Sequence, residues 1–162
     1  MANEVVFKDF SVQVKNAMND RINAVLEEVA GELKSQVIRN TKVGKVNGGT
    51  TKNKWQHVVD ESNHEAVIGN TEQTAIWLEF GTGEYALEGK GRKGGWYVMV
   101  GNGRNQISQA VVDAYGFSVI NGKDGKKYVK IRGMKPQRPL YKAFTSNKNA
   151  IIKRIQDSLK GL

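Results

Sequence analysis

The chain has 162 residues and a formal net charge of +9, with 25 Lys/Arg against 16 Asp/Glu. That length suits one domain, spanning residues 1–162, with a core of its own. The absence of Cys excludes a disulfide framework and thiol chemistry. No apolar run approaches the roughly 18 residues a membrane span requires, and the opening MANEVVFKDF lacks the basic-then-apolar order of a secretory signal. The expectation is a soluble protein made in the cytoplasm, with no membrane partner.

Charge is unevenly spread. Residues 1–88 carry 9 Lys/Arg against 13 Asp/Glu, a net of −4, whereas residues 89–162 carry 16 against 3, a net of +13. A basic half of this kind suits phosphate backbones, the acidic surface of a neighbouring copy, or plain solubility. Arg92, Lys93, Lys126, Lys127 and Lys130 are its candidate contact residues.

Residues 10–39 predict one long amphipathic helix. Phe10, Val14, Met18, Ile22, Val25, Val29, Leu33 and Val37 recur at spacings near three and four. Asp9 or Ser11 is placed to cap its start. At 1.5 Å per residue it would run about 45 Å, long enough for part of it to protrude. Residues 41–54, with Gly44, Gly48 and Gly49 among lysines, read as a solvated loop. Residues 55–60 and 65–69 read as strands about a Ser62-Asn63 turn.

Residues 74–83, TAIWLEFGTG, follow. Ala75, Ile76, Trp77, Leu78 and Phe80 make a short apolar run of one or two helical turns, and its aromatics are expected to be buried against the rest of the chain. Glu79 interrupts the run; as an exposed acid it is unremarkable, but if buried it must be ion-paired or hydrogen-bonded. Gly81-Thr82-Gly83 ends the run, allowing positive φ or a close backbone approach.

The composition then turns glycine-rich and basic over residues 84–95, which read as a mobile loop. Residues 96–100 predict a buried strand, and residues 107–115 a helix. Residues 117–120 and 127–131 flank Asn121-Gly122-Lys123-Asp124-Gly125-Lys126, so a β-hairpin is expected there, either as an arm or as ordinary surface. Gly133, Pro136 and Pro139 precede a last apolar-periodic run of Leu140, Phe144, Ile151, Ile155 and Leu159. Pro139 suits a first helical turn. A break is expected near residues 147–149, and Gly161 reads as the terminal stop.

Chemistry is sparse. His57 and His64, the only histidines, stand seven apart with too few ligands for a metal site. Asp60, Glu61 and Glu65 are ordinary turn acids. Residues 89–94, GKGRKG, match G-x-G-x-x-G, but a strand follows where a dinucleotide fingerprint needs a helix. No P-loop, cofactor motif or clustered acid–base pair is present, so the chain reads as a non-enzyme without a cofactor.

The order Glu79-Phe80-Gly81-Thr82-Gly83, then Gly133-x-x-Pro136-x-x-Pro139-Leu140-x-x-Ala143-Phe144, then a C-terminal helix, resembles the neck and tail-completion proteins of tailed bacteriophages and prophages. These are head–tail joining, minor tail components. The chain departs from the short members in its long middle, residues 84–132. The resemblance implies a structural virion protein that works as a homo-oligomeric ring. It would assemble in the host cytoplasm, sit at the head–tail junction, and meet head-completion or connector proteins and tail-tube or tail-terminator proteins, with DNA nearby. It marks Trp77, Glu79, Phe80, Gly81, Thr82, Gly83, Gly133, Pro136, Pro139 and Phe144 as motif and assembly candidates. The alternative is a small basic nucleic-acid-binding module, with Trp55, Trp96, Tyr97 and Tyr128 as stacking platforms. In either case the expected fold is α+β. A long N-terminal helix and a C-terminal helix pack on a mainly antiparallel sheet of four to six strands, with a short helix and a β-hairpin extension.

Overall fold

A computed structural model describes residues 9–46 and 49–160; the proposed stop at Gly161 lies outside them. The fold is α+β, as expected. Helix α1 spans Ser11–Asn40 without a break. Its N-cap is Phe10, without a side-chain cap, rather than Asp9 or Ser11; the exposed Asp9 carboxylate accepts the Ser11 N–H at 2.8 Å just ahead of it. At the other end, Thr41 closes the last turn, donating both its N–H (3.0 Å) and its hydroxyl (2.7 Å) to the Val37 carbonyl. A single turn, α2 (Thr50–Asn53), leads into strands β1 (Trp55–Asp60) and β2 (Glu65–Asn70).

These two strands form an antiparallel hairpin with Trp55 opposite Asn70 and Val58 opposite Val67. The alternation puts Trp55, His57 and Val59 toward α1 and leaves Val58 and Val67 in solvent. Polar contacts tie the hairpin to the helix. His57 Nε2 donates to Glu27 Oε1 at 2.8 Å, and His64 Nδ1 to Asn23 Oδ1 at 2.8 Å.

Helix α3 (Gln73–Phe80) follows, then two 3-10 turns within residues 83–89. A second unit comprises β3 (Trp96–Met99), α4 (Gln109–Tyr115), β4 (Val119–Asn121) and β5 (Lys127–Ile131). Its sheet has the order β3-β5-β4, all antiparallel. The five strands among the described residues thus divide between two sheets rather than forming one. The 117–131 hairpin belongs to the second sheet, with β5 at its centre, and does not stand free as an arm.

Helix α5 (Pro139–Leu159) starts at Pro139 and runs unbroken, against the break expected near residues 147–149. The physical reason is that Asn147 donates its side-chain amide to the Ala143 carbonyl of its own helix at 2.7 Å, so its polar group joins the helix instead of competing with it. α5 lies antiparallel along α1. Asn40 Nδ2 reaches the Pro139 carbonyl at 3.3 Å, Arg154 meets Glu32 at 2.7 Å, and Arg21 reaches the Ser158 carbonyl at 3.1 Å. Past Arg21, α5 has ended. Residues 11–18 of α1 are all exposed, so the protrusion expected from helix length is real.

The main core is small: Val37, Trp55, Ala75 and Ala143, with Leu33, Ile38, Ile68 and Leu140 against it. Total accessible surface is 11845 Å². A compact monomer of 18.0 kDa would expose about 8,000 Å². The excess is about half as much again, and Val58, Val67, Ile76, Trp77, Phe80 and Phe144 are part of it.

Candidate functional site

The two motifs singled out from the sequence meet in space and form one clasp. α3 ends at Gly81, whose N–H bonds the Trp77 carbonyl at 2.8 Å. The chain then leaves for the β3–β5 unit and returns at Gly133. Outgoing and returning backbones pair at the base of this excursion. Thr82 N–H donates to the Met134 carbonyl (2.9 Å), Met134 N–H to Thr82 Oγ1 (2.9 Å), and Glu84 N–H to the Arg132 carbonyl (2.8 Å). The Leu78 carbonyl accepts two further donors, the N–H groups of Gln137 (2.7 Å) and Arg138 (3.1 Å).

Such close pairing leaves no room for side chains at three positions. Gly81 has φ 73°, and a Cβ there would lie 2.9 Å from the Pro136 ring. Gly83 has φ 58° and would meet the Arg132 carbonyl at 2.3 Å, while Gly133, at φ 119°, would meet the Thr82 carbonyl at 2.0 Å. Each glycine is therefore required twice, for its backbone conformation and for the approach.

Glu79 completes the clasp. It is 8% exposed. Its two carboxylate oxygens accept the Leu140 N–H (2.9 Å) and the Tyr141 N–H (3.0 Å), the free donors of the first turn of α5. A residue of α3 thus caps α5 from sixty-one positions away in the chain. The alternative of an ion pair is not what is found; backbone donors and the positive end of a helix meet the charge instead. Arg138, just before α5, takes a left-handed conformation (φ 57°, ψ 51°) and lays its guanidinium 3.5 Å over the Tyr141 ring.

The expected burial of the α3 aromatics is reversed. Trp77 is 42% exposed, Phe80 55% and Ile76 59%, while Ala75, Leu78 and Glu79 face inward. The cause is helical phase. Positions 76, 77 and 80 share one side of α3, and the inward side is fixed by Glu79 reaching α5 and by the Leu78 carbonyl receiving the returning chain. Phe144 is likewise 54% exposed. Thr82, Gly83, Gly133, Pro136 and Pro139 lie in the clasp itself.

The basic candidates are not gathered on one surface. Lys130 sits opposite Tyr97 on one face of the second sheet, its Nζ 5.9 Å from the Tyr97 ring. Strand alternation puts Lys127 on the other face with buried Val129. Arg92 lies 5.7 Å over Trp96, while Lys93 and Lys126 are exposed in loops. Trp55 cannot serve as a stacking platform: it is buried, with its indole N–H donating to Thr41 Oγ1 at 2.9 Å.

Among the described residues, no group of three or more His, Cys, Asp or Glu is placed to hold a metal ion, and no helix is long and apolar enough to cross a membrane. Residues 89–94 precede β3, as the sequence context required. The sequence left open whether Glu79 is exposed or buried. Its signal, a lone acid inside an apolar run, was visible; its partner, a helix terminus in the last quarter of the chain, was not.

No curated protein and no solved structure gives a significant match to the chain. Residues 7–81, which run through α1 to the Gly81 that follows α3, match the HK97-gp10-like family, described as "Bacteriophage HK97-gp10, putative tail-component", in keeping with the phage tail-component resemblance of the motifs.

Proposed function

We propose that this protein is a structural tail component that works by assembly, forming a ring of copies at the head–tail junction. There it would contact connector or head-completion proteins on one side and tail-tube or tail-terminator proteins on the other, after assembly in the host cytoplasm. The observation that carries this reading is the outward apolar stripe Ile76, Trp77 and Phe80 on the helix whose inner side anchors the clasp. Large aromatics of this kind dominate interface energetics once desolvated. A subunit with two neighbours of ordinary interface size would cover about 1,600 Å² of its own surface, well within the excess over a compact monomer. Residues 89–135 carry ten Lys/Arg and two Asp/Glu, and the hairpin end at Asp60, Glu61 and Glu65 is acidic, which suits charge-matched subunits or partners.

The test combines light scattering of the purified chain with electron microscopy of the chain incubated with isolated tails or DNA-filled heads. The expected result is discrete rings, or rings seated on one of those particles. An Ile76→Ser, Trp77→Ser, Phe80→Ser variant should keep its circular dichroism and lose the rings. A monomer that joins neither particle and binds DNA tightly, with strong salt dependence, would favour the basic nucleic-acid-binding module instead.

A further inference from the structure

We infer that the exposed first turns of α1 from one copy dock into the apolar groove between α1, β2 and α5 of the next copy. This contact rests on the self-assembly proposed above and adds to the α3 stripe a second pair of surfaces that join neighbouring copies. The groove has a volume of ≈ 380 Å³. Leu33, Val37, Ile68, Leu140, Tyr141 and Phe144 are among the residues that line it. Its lining is apolar but for the Tyr141 hydroxyl, and Phe144 at its edge is 54% exposed. The groove is continuous with the core around Val37, so an apolar occupant would extend that core rather than start a new one.

The occupant is identified by what the molecule leaves unsatisfied. Phe10, just before α1, and Val14 and Met18 within it are 58%, 52% and 41% exposed, and they recur every four residues. That is the anchor spacing of a helix laid in a groove. Within one copy these anchors cannot reach the groove. α1 is continuous from Ser11 to Asn40, so Met18 is held about 22 Å from Leu33 by the rise of the helix, and Phe10 farther still. The tip of a rigid rod does not fold back onto its own base. A tip in one copy and a groove in another make a heterologous contact, which propagates from copy to copy and closes as a ring when the rotation allows.

The chain contains no Cys, so single thiols can report the contact cleanly. Two full-length variants, Val14→Cys and Phe144→Cys, are mixed and treated with a short bismaleimide. The expected product is a covalent dimer formed in the mixture and not by either variant alone. Independently, Val14→Asp with Met18→Asp should weaken self-association by about a hundredfold or more, since two apolar anchors are lost, with helical content unchanged. Oligomers that form without this crosslink, or that survive the double Asp substitution, would place the contact elsewhere and overturn the inference while leaving the ring intact. A chain that stays monomeric and uncrosslinked even when concentrated would also overturn it. Rings that then appear only on heads or tails would preserve the functional reading alone.

Discussion

The carboxylate of Glu79 accepts the backbone N–H of Leu140 at 2.9 Å, and its second oxygen takes the neighbouring Tyr141 N–H. One side chain thereby joins the end of α3 to the start of α5 and orients the two helices against the shared core. Removing it leaves two donors at a partly buried helix start, with Pro139 just before them and no side-chain cap at Arg138. Glu79→Ala should therefore cost about 2–3 kcal/mol, and Glu79→Gln, which keeps one acceptor oxygen, about half of that. Urea unfolding measures both. A loss below about 0.5 kcal/mol for Glu79→Ala would mean water replaces the carboxylate freely.

The long helices were legible because their apolar residues recur over many turns, and the strands flanking Asn121-Gly122 and Ser62-Asn63 because turn chemistry is local. Trp77 and Phe80 face outward, against expectation, for a definite reason. Hydrophobicity alone assigns them to an interior, whereas the phase of α3 is set by Glu79 and by the carbonyl of Leu78, both acting on residues about sixty positions later. The division of strands into two sheets was hidden for the same reason: it depends on which backbones pair across the excursion from Glu84 to Arg132. The motif glycines were legible as special positions, but not the particular atoms that forbid a Cβ at each.

Gly133 of the clasp should separate sharply from Gly125, a glycine of positive φ in open space. At Gly133 a methyl group would collide with the Thr82 carbonyl, and φ is 119°. Gly133→Ala is expected to cost more than about 3 kcal/mol, enough to threaten soluble expression. Gly125 has φ 77° but open space around it. Gly125→Ala should cost only the left-handed penalty, about 1–2 kcal/mol. Thermal unfolding of the two variants side by side provides the comparison, and equal losses would show that crowding in the clasp relaxes.

The β1–β2 turn predicts a pH dependence. Asp60 accepts the Ser62 hydroxyl at 2.6 Å and the Asn63 side-chain amide at 2.8 Å, with both backbone N–H groups as well. These bonds, that from the Ser62 side chain first, hold its carboxyl down at about 2. The unfolded chain would titrate near the ordinary value of about 3.9. The depressed folded value makes the unfolded state bind more protons in between, so the contribution is complete above about pH 4 and disappears as pH falls through about 2. Asp9 and Asp124, also lowered, act in the same direction. The stability gap between the native chain and Asp60→Asn should hold constant near neutrality and narrow on acidification below pH ~4. A gap independent of pH would show that the turn does not depend on the charge.

Thr41 and Trp55 give the last prediction. The Thr41 hydroxyl donates to the Val37 carbonyl at 2.7 Å and accepts the Trp55 indole N–H at 2.9 Å, all in a region excluded from solvent. Thr41→Val preserves shape while leaving that N–H without an acceptor, so it should cost about 1–3 kcal/mol. Thr41→Ser keeps the hydroxyl and loses one methyl group, for a smaller cost of about 1 kcal/mol. The order of the two variants, Val below Ser, isolates the hydrogen bond from the packing. Hydrogen exchange of the Trp55 indole provides a second readout: it should quicken in the Val variant and stay slow in the Ser variant. If Val proves the more stable of the two, the methyl group rather than the hydroxyl holds Trp55 against the end of α1.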